Sequence, residues 1–268
     1  MIELKIRVWG GVSALNAIIS GYGSAMAVSL PVDVTVDPSD RTEIVAIDNK
    51  VVEEIMRLVG VKHCRVIVDS HVPVGIGLKS SSAVSSAVAL ALIHLTEGKY
   101  DVDRAVNVSA MASRNLKISV TGAHDDAYAS LLGGIVLTSN EEGRLITRFD
   151  VPDGLEVYIG IPSNPKKTTN IESLRSLKSL GNELKGLIEN GKWAQAMTIN
   201  GLLVASANGY DPSPAIGAVM DGAIAAGISG NGPAYFCLVK PGMGAPRSFG
   251  GLKVIKSAPK DSGYEILQ

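Results

Sequence analysis

The sequence predicts a mixed fold in which β-strands and α-helices follow one another along two successive halves of the chain. Short runs of apolar and β-branched residues, such as residues 65–69, predict strands. Longer runs with helical spacing lie between them, and the clearest is the apolar stretch over residues 83–95. A strand over residues 155–161 then opens a second half.

In the first half, an alternating strand over residues 2–8 lacks the apolar block of a signal peptide. Pro31 breaks the next predicted strand, and Gly60, Gly98 and the pair Gly133–Gly134 end predicted helices. Asp101 is the expected N-cap of a helix over residues 101–114. Further strands are predicted over residues 27–36, 41–47, 65–69 and 135–139, and helices over 51–58, 83–95, 101–114 and 125–132.

The second half is predicted to contain helices near 171–189, 192–206 and 214–226, and strands over 235–239, 252–257 and 264–267. Residues 186–193 come nearest to a Walker phosphate loop. Their last position is Trp193, where that loop requires Ser or Thr, so a helix–turn–helix junction is expected.

Composition excludes several classes of protein. The chain has 268 residues, 46% of them hydrophobic, and a net charge of −1, which gives no basic surface for nucleic acid. No apolar run is long enough to span a bilayer. Cys64 and Cys237 are far apart and lack metal-ligand spacing, so reduced core thiols in a cytoplasmic protein are expected.

The most informative stretch is a glycine-rich loop between a strand and a buried helix. Its glycines let the backbone approach a ligand closely, and its serines are favoured N-caps. Free N–H groups at a helix start bind anions such as phosphate, and a lysine adds a mobile positive charge there. A glycine turn with an ordinary serine cap is the alternative. The predicted phosphate-binding residues are Pro73, Val74, Gly75, Ile76, Gly77, Leu78, Lys79, Ser80, Ser81, Ser82 and Ala83.

Two adjacent carboxylates, Asp125 and Asp126, open the short helix that follows Gly122. Acidic residues in a first helical turn often only complement the helix dipole. Alternatively, paired carboxylates share a site where one holds a metal ion and the other accepts a proton. Both interpretations stay open on the residues alone.

Three further segments are candidate pocket residues with equally ordinary alternatives. Asn16 and Ser20 lie among apolar neighbours and either line a pocket or are satisfied polar groups in a turn. Glycines around Asn231 either form a tight hairpin or press against a phosphate. Three cations in the second half either meet an anionic substrate or are simply solvated. These are Gly230 and Gly232 for the hairpin, and Lys166, Lys167 and Arg175 for the cations.

Taken together, three ordered motifs resemble the superfamily of galactokinase, homoserine kinase, mevalonate kinase and phosphomevalonate kinase (GHMP kinases). The motifs are Pro-x-x-x-Gly-Leu-x-Ser-Ser-Ser-Ala at 73–83, Gly-Ala-x-Asp-Asp-Ala at 122–127 and Ser-Gly-x-Gly-Pro-Ala at 229–234. Within it, the first two motifs are most similar to those of the archaeal shikimate kinases. The resemblance implies an α+β fold, with an ATP-binding half like a domain of ribosomal protein S5 over residues 1–150 and a ferredoxin-like half over 151–268.

The resemblance also implies transfer of the γ-phosphoryl group of ATP to the 3-hydroxyl of shikimate, with Mg²⁺, by a monomer or homodimer. Asp126 matches the catalytic aspartate of the superfamily, Asp125 would be an alternate base or metal partner, and Lys79 would hold the phosphates. Ser81 and Asp125 would bind Mg²⁺. The expected substrate-binding residues are Asn16, Gly230, Asn231 and Gly232.

One position departs from the family pattern. Where the superfamily usually has a glutamate that helps to bind Mg²⁺, this chain has Asn115, an uncharged oxygen donor. Three alternatives remain: a sister kinase for homoserine, mevalonate or another small alcohol, a nucleotide-binding protein without chemistry, and a purely structural domain.

Overall fold

Two β-sheets, one from each half of the chain, carry the helices that enclose a common core. They are seen in a computed structural model that describes residues 3–46, 48–164 and 168–267. Within these ranges the strands are β1 (Leu4–Leu15), β2 (Tyr22–Pro38), β3 (Glu43–Val45), β4 (Cys64–Ser70), β5 (Ile135–Ser139), β6 (Arg144–Phe149), β7 (Glu156–Ile161), β8 (Ala225–Ile228), β9 (Tyr235–Val239), β10 (Lys253–Ser257) and β11 (Glu265–Ile266). The helices are α1 (Ala17–Ser20), α2 (Asn49–Val59), α3 (Ser80–Glu97), α4 (Val102–Asn115), α5 (His124–Leu132), α6 (Ile171–Ser176), α7 (Lys178–Glu189), α8 (Trp193–Asn208) and α9 (Ser213–Met220).

The larger sheet has the strand order β11–β1–β2–β4–β3. One edge of the long strand β2 pairs with β1. On its other edge, the first part of β2 pairs with β5 and the later part with β4, and β5 pairs in turn with β6. The smaller sheet has the order β10–β7–β9–β8. Neighbouring strands are antiparallel throughout, except for the parallel pair β3 and β4.

Helix α3 is the centre of the first half because its sequence is small and apolar on almost every side. Its residues from Ala83 to Ile93 are almost all buried, and it packs against α4, α5 and both long strands. The serines within it are satisfied locally: Ser85 shares a 2.6 Å hydrogen bond with Ser109 of α4. Small side chains permit this close packing of helices, and the helix leads directly out of the glycine-rich loop.

Several boundaries differ from the sequence prediction, and two of the differences have a clear local cause. Pro31 does not break β2, because it lies opposite Trp9 beside a register shift in β1, where the regular ladder is already interrupted. The helix predicted over 214–226 ends at Met220, and β8 begins at Ala225. Gly222 has φ +99° in the intervening turn, a conformation that stops a helix.

The last strand of the chain returns to the first half. β11 pairs antiparallel with β1, so the larger sheet includes residues from both ends of the sequence. The division between residues 150 and 151 stays a prediction. The junction of α7 and α8 is the predicted helix–turn–helix, and Cys64 and Cys237 are buried and unpaired.

Over the part of the chain that the structure describes, none of the helices combines the length and apolar character that crossing a bilayer requires.

Candidate active site

The predicted motifs meet at a cavity of about 390 Å³ that is bordered by both halves of the molecule. The loop before α3, the start of α5 and the turn after β8 all reach it. The predicted residues that line it are Asn16, Gly75, Gly77, Leu78, Lys79, Ser80, Ser81, Ser82, Asp125, Asp126, Gly230, Asn231 and Gly232. The structure thus brings together three segments that are more than 100 residues apart at their extremes.

Four residues of the predicted phosphate-binding stretch do not line this cavity, namely Pro73, Val74, Ile76 and Ala83. Ile76 and Ala83 are buried in the hydrophobic core, whereas the side chain of Val74 is 51% exposed. These four residues therefore belong to the loop and its ends but do not contribute to the cavity surface. The part of the stretch that faces the cavity therefore begins at Gly75.

The prediction that the serines are N-caps is wrong. Helix α3 begins at Ser80, and its N-cap is Lys79, whose backbone is left-handed with φ 69° and whose side chain makes no capping bond. Ser80, Ser81 and Ser82 therefore form the first turn of the helix. Because no side chain caps this turn, its N–H groups can bind an anion together with the positive end of the helix dipole.

Gly77 is required by the protein backbone behind the loop. Its φ is +93°, and a Cβ at this position would overlap the carbonyl group of Ser229. Ser229 Oγ donates a 2.7 Å hydrogen bond to Gly77 O, and Ala234 N donates one of 3.1 Å to Ile76 O. The turn after β8, in the C-terminal half, is thus hydrogen-bonded to the phosphate-binding loop.

Lys79 is fixed in the floor of the cavity, which corrects the expectation of a mobile charge. Its side chain is only 7% exposed, and its Nζ lies 2.8 Å from Asp126 Oδ1. The same Nζ donates a 2.5 Å hydrogen bond to Ser13 Oγ. The buried stem passes over Gly11, where the absence of a side chain leaves room for it.

Asp126 is the carboxylate that faces Lys79. Its side chain is 16% exposed, and burial raises the pKa of Asp126 to about 7. The nearby Asp125 carboxyl raises this pKa further, while the Lys79 ammonium acts in the opposite direction. A carboxyl whose pKa approaches neutrality is suited to accept a proton during a reaction.

Asp125 borders the cavity, and neighbouring residues hold its carboxylate in place. Its Oδ1 accepts a 2.9 Å hydrogen bond from Asn140 Nδ2, and its carboxylate packs against the backbone of Gly23, where a Cβ would overlap it. Asn140 in turn accepts from Thr138 at 2.6 Å. These contacts fix the orientation of Asp125 at the start of α5.

Arg114 supports the loop that leads into α5. Its Nη2 donates to Thr121 O at 2.8 Å and to Asn140 O at 3.0 Å. The guanidinium lies against Gly122, where a Cβ would crowd it. One side chain therefore joins the end of α4 to both segments that position the aspartates.

Asn16 fits both of its predicted interpretations. Its Oδ1 accepts from Ile18 N at 3.0 Å and caps α1, while its Nδ2 donates to Asn231 Oδ1 at 2.8 Å and to Gly230 O at 3.2 Å. It is therefore a satisfied polar group that also lines the cavity. Ser20 is buried against Gly181 and lies outside the cavity.

The remaining candidates lie elsewhere. Asn115 donates a 2.6 Å hydrogen bond to Glu54 Oε1 of α2 and does not line the cavity, so it does not stand where a metal-binding glutamate would. Arg175 is exposed on α6 and does not line it either. Lys166 and Lys167 lie outside the described residues.

Sequence inspection missed several residues that line the cavity. Ser13 is an isolated serine in a strand, Ser113 and Thr169 belong to no motif, and Thr121 stands immediately before the Gly122 that begins the aspartate motif. Only the spacing of Thr121 before Gly122 gave a signal, since it lies next to the aspartate motif. The others reach the cavity through long-range folding. Among the described residues, no group of three or more His, Cys, Asp and Glu side chains forms a ready-made metal site.

Comparisons with known proteins identify the family of this chain. Residues 46–134 match the family described as GHMP kinases N terminal domain. A shikimate kinase of Methanothrix thermoacetophila is 33% identical, covering 97% of this chain and 95% of the relative, and one of Methanothermobacter thermautotrophicus is 31% identical over 89% and 88%. The crystal structure of a homoserine kinase from Cytophaga hutchinsonii superposes with a TM-score of 0.72 at 19% identity, covering 99% and 97% of the two chains, which shows a common fold. The chain therefore belongs to the GHMP kinase family, in the same branch as these archaeal shikimate kinases.

Proposed function

We propose that this protein is a shikimate kinase, which transfers the γ-phosphoryl group of ATP to the 3-hydroxyl of shikimate. The observation that carries the proposal is the ion pair of Lys79 and Asp126, which lines the same cavity as the first turn of α3, a turn that no side chain caps. The acceptor is inferred from the shikimate kinases that are 31% and 33% identical over most of their length.

The N–H groups of Ser80, Ser81 and Ser82 would bind the phosphates of ATP, helped by the dipole of α3. Phosphoryl transfer depends mainly on positioning and on neutralising charge. Lys79 supplies the buried positive charge beside the reacting groups. The hydrogen-bonded amide side chains of Asn16 and Asn231 line the same cavity, and an acceptor with several hydroxyls would bind to them.

Asp126 would accept the proton of the acceptor hydroxyl. The hydroxyl oxygen then bonds to the γ-phosphorus, the bond from that phosphorus to the bridging oxygen breaks, and ADP leaves with the electron pair. Its raised pKa allows Asp126 to take up this proton near neutral pH.

Mg²⁺ is compatible with the donors present, since the Ser81 hydroxyl and the Asp125 carboxylate border the same cavity and hard oxygen ligands suit this ion. When bound with ATP, Mg²⁺ would neutralise charge on the phosphates. A cytoplasmic location and a monomeric or homodimeric state stay predictions.

The acceptor is tested by measuring ADP release with purified protein, MgATP and a panel of small alcohols. We expect turnover with shikimate and none above background with homoserine or mevalonate. Phosphorylation of homoserine but not shikimate would overturn the proposed acceptor while leaving the kinase assignment intact. Absence of turnover with every alcohol would argue for a nucleotide-binding protein without chemistry.

The role of Asp126 is tested with Asp126→Asn, which keeps the size of the side chain but removes the base. We expect ATP affinity, measured by calorimetry, to stay within about threefold, and kcat to fall about a hundredfold or more. Asp101→Asn is the matched control, because it makes the same change at the N-cap of α4, outside the cavity. Wild-type kcat in the Asp126 variant would exclude this residue as the base.

A further inference from the structure

Ser13 is a buried polar residue of β1 that no sequence motif includes. It is 1% exposed, and it stands at a register shift in the pairing of β1 with β2. Its backbone N–H donates a 3.3 Å hydrogen bond to Ser229 Oγ in the C-terminal half. Its side chain lines the cavity beside the phosphate-binding loop.

The Ser13 hydroxyl oxygen receives two hydrogen bonds from groups that can only donate. Lys79 Nζ lies 2.5 Å away, and the backbone N of Gly230 lies 3.0 Å away. An ammonium and a backbone N–H have no acceptor capacity, so the serine oxygen is the acceptor of both. The oxygen therefore joins the phosphate-binding loop to the turn after β8.

We propose that Ser13 is a positioning residue that holds the Lys79 ammonium against Asp126 and ties this pair to the turn of residues 229–232. The inference deepens the proposed function and rests on it, because it assigns a purpose to the Lys79–Asp126 pair in phosphoryl transfer. Ser13 itself contacts Lys79 and acts through it.

Lysine needs such a support at this position. Its side chain has four rotatable bonds, and holding the ammonium in one place is entropically unfavourable unless several contacts share the task. Burial also makes the loss of a partner destabilising, because a donor that is left unpaired in the interior cannot bond to water instead.

Removing the hydroxyl has a specific expected effect. In Ser13→Ala the ammonium loses one of the two contacts that hold it, and the amide of Gly230 loses its acceptor. We expect kcat to fall about 10- to 100-fold, because positioning acts in the transition state, with KM for ATP changed by less than about threefold. Ser13→Thr, which keeps the oxygen, should recover most of kcat.

Ser24→Ala is the matched control. Ser24 lies on the neighbouring strand and is fully buried, and its hydroxyl has no hydrogen-bond partner among the described residues. It does not line the cavity. This variant should keep wild-type kcat, so an equal loss in both serine variants would mean that Ser13→Ala acts by disturbing the sheet, and would overturn the inference.

A double-mutant cycle with Lys79→Met separates action through the lysine from an independent effect. If Ser13 works through Lys79, then Ser13→Ala should change kcat by less than about threefold in the Lys79→Met background. Multiplicative losses would overturn the inference. The cycle uses whichever alcohol the wild-type enzyme phosphorylates, so a wrong acceptor affects only the proposed function.

A crystal structure of Ser13→Ala gives a readout that needs no turnover. We expect the Lys79 ammonium to leave its position beside Asp126, or to occupy it in only part of the molecules, while α3 and α5 stay in place. An unchanged ammonium, still in contact with Asp126 at full occupancy, would contradict the positioning role even if no substrate were phosphorylated.

Discussion

Gly75 and Gly77 lie in one loop, and both have left-handed backbones, with φ of +78° and +93°. They differ in what surrounds them. A Cβ on Gly75 would meet no atom within 4 Å in the described part of the molecule, whereas a Cβ on Gly77 would overlap the Ser229 carbonyl group. Gly75 is therefore required for backbone conformation alone, and Gly77 is required for conformation and space.

This difference predicts the stability of two alanine variants. Gly75→Ala should lower the free energy of unfolding by about 1 to 2 kcal/mol, the cost of a left-handed alanine. Gly77→Ala should lower it by about 3 kcal/mol or more, because the two loops must also separate and lose hydrogen bonds worth about 1 kcal/mol each. Urea unfolding of both variants measures the difference, and equal losses would show that the two loops are not in contact.

At the scale of single residues, the sequence predicts which chemical groups the site contains better than it predicts where their side chains point. Asp125 and Asp126 are adjacent carboxylates that only the family resemblance distinguishes, but consecutive helical residues point about 100° apart. One therefore faces Lys79, while the other faces Gly23 and Asn140. The partners that distinguish them come from β2, β5 and the phosphate-binding loop, which local patterns do not connect.

At the scale of elements, strong local patterns are reproduced well. The apolar run before Gly98 forms α3, and Asp101 caps α4 with a 3.0 Å bond to Arg104 N. The errors fall where tertiary contacts decide the outcome. Pro31 stays within β2 because the pairing of β2 with β1 shifts register there, and α3 starts at Ser80 because the loop enters it in a left-handed conformation.

The C-terminal segment is an element whose importance no local pattern reveals. Residues 258–267 run back along the larger sheet, with Lys260 N bonded to Ala27 O and Tyr264 N bonded to Leu131 O. Trp9 Nε1 donates a 2.8 Å hydrogen bond to Gly263 O, and the Lys260 ammonium lies 4.0 Å from the centre of the same indole ring. The segment therefore covers part of the first half.

Truncation after Ser257 should destabilise the whole protein. The change removes β11, which pairs with one edge of β1, and uncovers Trp9, and each lost backbone hydrogen bond contributes about 0.5 to 1.5 kcal/mol. We expect the free energy of unfolding in urea to fall by more than about 3 kcal/mol. Glu265→Gln, which removes only a partly exposed ion pair with Lys260, should change it by less than about 1 kcal/mol. A truncated protein as stable as the full chain would show that the segment is dispensable.

At the scale of the whole molecule, the sequence motifs predict a shared site because they recur in one order in one family. Their actual meeting depends on two sheets that pack so that the turn after β8 reaches the loop before α3. Spacing along the chain contains no information on that packing. Ser13 illustrates the limit, since its partners Lys79 and Gly230 are 66 and 217 residues away.

A ligand that binds this shared cavity should stabilise both halves together. A non-hydrolysable ATP analogue with Mg²⁺, at about 100 times its Kd, should add about 2.7 kcal/mol to the free energy of unfolding. For a chain of this size the midpoint of thermal unfolding should rise by roughly 5 to 10 °C. Adenosine at the same concentration should have a much smaller effect, because it offers no phosphate to α3. No shift with the analogue would contradict nucleotide binding at this cavity.

The bonds from Ser229 to Gly77 and from Ala234 to Ile76 have a consequence for how ligands enter. A hinge motion that separated the two sheets would have to break these hydrogen bonds or move the phosphate-binding loop together with the smaller sheet. We therefore expect ligands to enter and leave through the rim of the cavity, where Ile118 and Val120 are about half exposed, while the two halves stay in contact.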